Sequence, residues 1–208
     1  MDFRRPLTVV APTLDGDVLA VLAGAEEEFS GRRIHRVLRG GSESGIRRAA
    51  ERLVEQGIVV SRRAGRANLY KLNRDHVAAP HIEGLVTLRA QLVARFRSTI
   101  SAWGTSPHSV LIFGSVARGE AGPHSDLDLL VIRPSGVGEG AARWREQLAL
   151  LEEQASGWTG NEARILEYGE NELGDAAVRR VIEEALTDGI ELYGSRRSIR
   201  SLVEGEAT

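Results

Sequence analysis

The chain has 208 residues, room for one or two domains, with a net charge of −2 and an ordinary apolar fraction of 42%. The absence of cysteine excludes disulfides, thiolate metal sites and cysteine nucleophiles. No apolar run approaches the ~18–20 residues of a membrane span, and no apolar signal core follows Met1-Asp2-Phe3-Arg4-Arg5-Pro6, so the expected compartment is the cytoplasm.

In chain order, Leu7-Thr8-Val9-Val10 reads as a short strand. Leu14, Val18, Val21 and Leu22 then recur at helical spacing up to Gly24. Ser30 is placed to cap a second helix, with Ile34, Val37 and Leu38 inward. Gly40-Gly41 makes a turn, and Ser42 caps a third helix with Ile46, Ala49, Leu53 and Val54 inward. Gly57 closes that helix. Ile58-Val59-Val60, a turn at Ala64-Gly65, and Leu69-Tyr70-Lys71-Leu72 form a β-hairpin. Residues 82–100 carry one apolar stripe (Ile82, Leu85, Val86, Leu92, Val93, Phe96, Ile100), which predicts a connecting helix and leaves a homodimer seam open.

Val110–Phe113 and Leu127–Ile132 are apolar strands flanking a polar, glycine-bearing turn. Ser135–Gly140 is a loop and Ala141–Ser156 a helix. Ala163–Tyr168 alternates as a strand, with Ala163, Ile165 and Glu167 on one face and Arg164, Leu166 and Tyr168 on the other. Asp175 begins a last clear helix, Ile190–Tyr193 an edge strand, and residues 195–208 a disordered tail. The fold class is α+β. The expected domains are 1–76, a connecting helix at 77–104, a second domain at 105–194, and the tail.

Charge is unevenly spread. Ser30–Asp75 holds twelve Lys/Arg against four Asp/Glu, a net of +8, while the second half is acidic. The first module is therefore expected to touch a polyanion.

Chemistry concentrates between Val110 and Pro134. Asp126 and Asp128 interrupt an otherwise buried run, where unpaired charge is costly. Alternation puts them on one face, ~7 Å apart along the backbone. A divalent cation between them removes their repulsion. Gly114 lets the backbone approach a ligand closely. Ser115 is placed to cap a short helix, Val116–Gly119, whose N–H groups attract anions. Arg118 offers a planar, permanent charge for phosphate. A nucleoside triphosphate with Mg²⁺ needs both a phosphate cradle and a carboxylate pair.

Phe113-Gly114-Ser115, ten intervening residues, then Asp126-Leu127-Asp128-Leu129 resembles the signature of the DNA polymerase beta-type nucleotidyltransferase superfamily, its minimal members above all. The resemblance implies a mixed sheet flanked by helices. It also implies transfer of a nucleoside monophosphate from an NTP to a hydroxyl on a protein, an RNA end or a small molecule. Gly114, Ser115 and Arg118 would hold the nucleotide, with Ser125 adding a hydrogen bond or capping. Asp126 and Asp128 would hold two Mg²⁺ ions, typically about 3.5–4 Å apart. A third carboxylate on a neighbouring strand would complete the metal site or act as base. Glu167 fits that role best, with Glu162 in reserve. Minimal members also occur in toxin–antitoxin pairs.

Residues 14–74 resemble a winged helix-turn-helix, which implies duplex-DNA binding. Ser44, Arg47 and Arg48, beside Glu43 and Glu51, face outward on the third helix, the one that enters the major groove in that fold. Arg62, Arg63 and Arg66 lie at the wing tip, where phosphate contact is expected. The competing reading is a DNA-binding regulator whose second domain only senses nucleotide.

Overall fold

A computed structural model describes residues 1–205. Apart from Met1 and Phe3, which group with the second, the chain divides into two compact units within one helix, between Arg89 and Ala90.

The first unit comprises α1 (Leu14–Ala23), β1 (Phe29–Ser30), α2 (Gly31–Leu38), α3 (Glu43–Glu55), β2 (Val59–Ala64), β3 (Ala67–Leu72) and α4 (Ala79–Val86). Its core joins Val18 and Leu22 to Ile34, Ile46, Ala49, Leu53, Tyr70 and Leu72. The hydroxyl of Ser30 accepts the Arg33 N–H at 3.3 Å, and that of Ser42 the Gly45 N–H at 3.0 Å, so both expected caps are in place. β2 and β3 pair antiparallel, with Ala64 opposite Ala67, around Gly65 at φ +60°. The two-residue β1 joins as an outer strand, giving the order β1-β3-β2.

Two local elements differ from expectation. Pro6–Val9 is a 3-10 turn, because Pro6 sets helical φ at its first position. Val37 points outward at 54% exposure, since Ile34 and Leu38 already define the inner face of α2.

The segment read as one connecting helix is two, α4 and α5 (Leu88–Ser101). They break at Thr87, whose hydroxyl donates to the carbonyls of Glu83 and Gly84 at 3.1 and 3.0 Å. Such back-bonding competes with the helical ladder.

The second unit takes α5 from Ala90 onward. It continues with β4 (Ser109–Phe113), α6 (Gly114–Arg118), β5 (Leu127–Arg133), α7 (Ala142–Thr159), β6 (Ala163–Gly169), α8 (Ala176–Asp188), β7 (Ile190–Tyr193) and α9 (Arg196–Gly205). Its mixed sheet has the order β6-β5-β4-β7, with β5 and β6 parallel and the other pairs antiparallel. Parallel pairing needs a crossover, which α7 supplies.

Both sheet faces are covered, which explains the nearly continuous apolar run of β5. Val110, Ile112, Leu127, Leu129 and Val131 pack with Phe96, Ile100, Trp144 and Leu148. Leu111, Phe113, Leu130 and Ile132 pack on the other face with Ile182, Leu186 and Ile199. Ile199 belongs to α9, so residues 196–205 are an ordered helix rather than the expected tail. Its Ile199, Leu202 and Val203 complete that second core. Residues 206–208 of the expected tail lie outside the described residues.

Candidate active site

The turn from β4 into α6 and the start of β5 form one corner. Phe113, the last residue of β4, pairs directly with Asp128. The next residue, Gly114, has φ +68°, and a Cβ there would lie 2.9 Å from Oδ2 of Asp128. Glycine is therefore required twice, for its backbone conformation and for this close approach. α6 begins at Gly114 itself, with Phe113 as N-cap, so Ser115 lies inside the first turn instead of capping it. The Ser115 carbonyl accepts the N–H groups of Glu120 and Ala121 at 2.8 and 3.2 Å, folding the chain back toward β5. Gly119, at φ +71°, ends α6.

Asp128 shares its sheet face with Leu130 and Ile132, at the rim of the apolar core. Burial, then the neighbouring charge of Asp126, pushes its carboxyl above the ordinary range, with Glu184 of α8 adding to this and Arg164 opposing it. Asp126 is 35% exposed, and its Oδ2 pairs with Nη1 of Arg164 at 2.7 Å. Arg164 stands on β6 directly opposite Asp128 and also contacts Glu162 at 3.3 Å.

Arg118, at the end of α6, contacts Glu120 at 2.9 Å and Glu184 at 3.8 Å. Ser125 serves the loop, its hydroxyl accepting the Gly122 N–H at 2.9 Å. Asn161, 3% exposed, clamps the same loop by donating to the carbonyls of Gly122 and Ser125 at 3.1 and 2.7 Å. The corner thus gathers Gly114, Ser115, Asp126 and Asp128, with Arg164 and Glu184 facing the carboxylates and Arg118 paired to Glu184.

Glu167 is not there. It lies opposite Val131 on β6, and alternation turns it to the α7 face, away from Asp128. Its carboxylate accepts the Trp144 indole N–H at 2.9 Å and contacts Nε of Arg133 at 2.7 Å and Nη1 of Arg145 at 3.3 Å. A cavity of about 700 Å³ opens beside it at the far end of β5, lined by Arg133, Glu139, Tyr168 and Glu172. The reserve candidate, Glu162, is 68% exposed and bound to Arg164. Among the described residues no three acids or histidines converge as a metal cluster.

Arg164, Glu184 and Asn161 carried no sequence motif. The alternation of β6 did separate Arg164 from Glu167. What the sequence lacked was which of those faces looks toward Asp128.

The donor set fits a divalent cation. Two carboxylates of like charge meet at a strand end, one of them partly buried and destabilised as an anion, and hard oxygen ligands of this kind suit Mg²⁺.

Fold and corner together form an α+β domain with two carboxylates beside a tight glycine turn. Residues 93–188 match the family model described as a nucleotidyltransferase domain, so the second unit is a nucleotidyltransferase domain. A comparison with curated proteins finds no match. Solved structures similar to the chain include a toxin-antitoxin with AMP-PNP, at 15% identity and TM-score 0.40, covering 55% of this chain and 83% of that one. The toxin-antitoxin MntA-HepT matches at 13% identity and TM-score 0.37, covering 57% and 83%. Its D39ED41E mutant matches at 12% identity and TM-score 0.39, covering 55% and 83%.

Proposed function

We propose that the second unit transfers the nucleoside monophosphate of an NTP to a hydroxyl acceptor in a Mg²⁺-dependent reaction, and that the first unit binds duplex DNA as a winged helix-turn-helix. The observation that carries the transferase reading is the meeting of Asp126 and Asp128 beside Gly114, where a Cβ would touch Asp128. Asp126 and Asp128 would hold the Mg²⁺. When bound, the ion neutralises the triphosphate and the departing pyrophosphate. Gly114 opens the backbone to the phosphates, and the N–H of Ser115 is available to them. Arg118, now shared between Glu120 and Glu184, is the guanidinium nearest in sequence to that turn and would pair with the β- and γ-phosphates. Asn161 keeps the loop before Asp126 in place. Catalysis here is mostly positioning and charge stabilisation.

Support for the DNA reading comes from element order and charge. Helix, strand, two helices and a hairpin follow in turn, and Ser44, Arg47 and Arg48 are exposed on α3. Arg63 and Arg66 are exposed at the hairpin end, while Arg62 is held by Glu28 at 2.5 Å. Arg47 has only a loose i,i+4 contact with Glu51, at 3.7 Å.

Calorimetric titration with Mg²⁺ and a non-hydrolysable NTP tests the transferase reading. The wild type should bind, and Asp128→Asn should weaken binding at least tenfold (about 1.4 kcal/mol) without unfolding. Equal affinity in the variant would refute the site.

A further inference from the structure

Resting on the transferase reading, we infer that Arg164 takes the place of a second metal ion, so that the carboxylate pair Asp126/Asp128 loads a single divalent cation. In a two-ion site a third carboxylate reaches the pair from the neighbouring strand. Here β6 is that strand, and its residue in register with Asp128 is Arg164. Nη1 of Arg164 lies 2.7 Å from Oδ2 of Asp126, as a tethered cation bound to one of the two proposed ligands.

The other acids do not supply the missing ligand. Glu167 is on the opposite sheet face and held by Trp144, Arg133 and Arg145. Glu162 is drawn toward the Arg164 guanidinium. Glu184 is 59% exposed on α8, and among the described residues it does not converge with Asp126 and Asp128 into a three-acid cluster. A guanidinium stays charged at every working pH, so its positive charge is permanent. It offsets one of the two negative charges of the pair and repels a second divalent cation. Arg164 is 54% exposed, so it can swing off Asp126 when one ion binds and remain beside the site as the second positive charge.

The probe is Mn²⁺ alone, read by the loss of its free EPR signal on addition of the full chain. The wild type should bind one Mn²⁺ per chain. Arg164→Gln keeps much of the side chain and loses the charge. Mn²⁺ affinity should then rise by about tenfold, the size expected for removing a unit charge a few ångströms from a divalent ion under water-like screening. Arg164→Lys retains the charge and should stay within about threefold of the wild type on the same Coulombic basis. Two ions in the wild type, both lost in Asp128→Asn, would overturn the inference while leaving the transferase site standing. Equal or weaker binding in Arg164→Gln would overturn it as well. No Mn²⁺ binding in any of these proteins would remove the carboxylate metal site itself, and the inference with it. Should Arg164→Gln fail to fold by circular dichroism, the wild-type stoichiometry and the Lys variant still decide.

Discussion

Glu167 should hold the fold, not the chemistry. Its side chain and that of Arg133 are only 10% and 9% exposed, with Nε and Oε1 2.7 Å apart. Replacing Glu167 by Gln keeps the volume and an acceptor for the Trp144 N–H, but removes the charge facing a buried guanidinium. Losing one partner of a buried pair typically costs about 3–5 kcal/mol, because the other charge is left uncompensated. Arg133 retains the Val137 carbonyl at 2.8 Å and a longer contact to Glu172 at 3.5 Å. The expected loss is therefore nearer 2–3 kcal/mol, about 6–15 °C in thermal midpoint for a unit of this size. Arg133→Met/Glu167→Gln should cost less than the sum of the single changes, since neither charge is stranded. Thermal unfolding by circular dichroism measures all three variants. A midpoint within about 2 °C of wild type (well under 1 kcal/mol by the same scaling), combined with loss of nucleotidyl transfer, would refute this placement and return Glu167 to the reaction.

Gly114→Ala should weaken NTP binding more than it lowers stability. The added Cβ intrudes on Asp128, while the φ +68° backbone alone costs about 1–2 kcal/mol; calorimetry beside thermal melts separates the two effects. Arg47→Ala/Arg48→Ala should weaken duplex-DNA binding and flatten its salt dependence by roughly one counterion per lost phosphate contact, measured by mobility shift over a salt series. Unchanged affinity and slope would exclude α3 as the reader. The Arg52 hydrogen bond holds the Asp15 carboxyl below the ordinary range, against its partial burial. That pair stabilises the first unit above the unfolded carboxylate pKa, and the contribution fades as pH falls through the lower native value. Arg52→Ala should therefore lower stability at neutral pH and shrink the acid-induced loss, as read from urea unfolding at several pH values.

The corner at Gly114 and Asp128 was legible because each residue there obeys a local rule. A turn at positive φ selects glycine, and two acids in a buried run share a face by simple alternation. The caps at Ser30 and Ser42 were legible for the same reason. Asp175 likewise caps α8, through the Ala177 N–H at 2.7 Å. What escaped depends on distant partners. Both faces of β6 carry charge, and only the pairing with β5 decides that Arg164, not Glu167, looks toward Asp128. The polar run from Arg196 read as a tail because its few apolar residues gain their value only against the sheet and α8. The break at Thr87 lies under an unbroken apolar stripe, so periodicity could not reveal it. β1 is too short to carry a period at all.

Nucleotidyl transfer at Asp126 and Asp128 is tested most directly by NTPs labelled separately at the α- and γ-phosphates. Each is incubated with Mg²⁺, the full chain and a cell extract as the source of acceptor. Stable incorporation of the α label and release of labelled pyrophosphate from the γ-labelled NTP are expected, and neither in Asp126→Asn/Asp128→Asn. Incorporation of the γ label, incorporation that survives in the double variant, or no α-label incorporation with any common NTP would contradict nucleotidyl transfer at this pair.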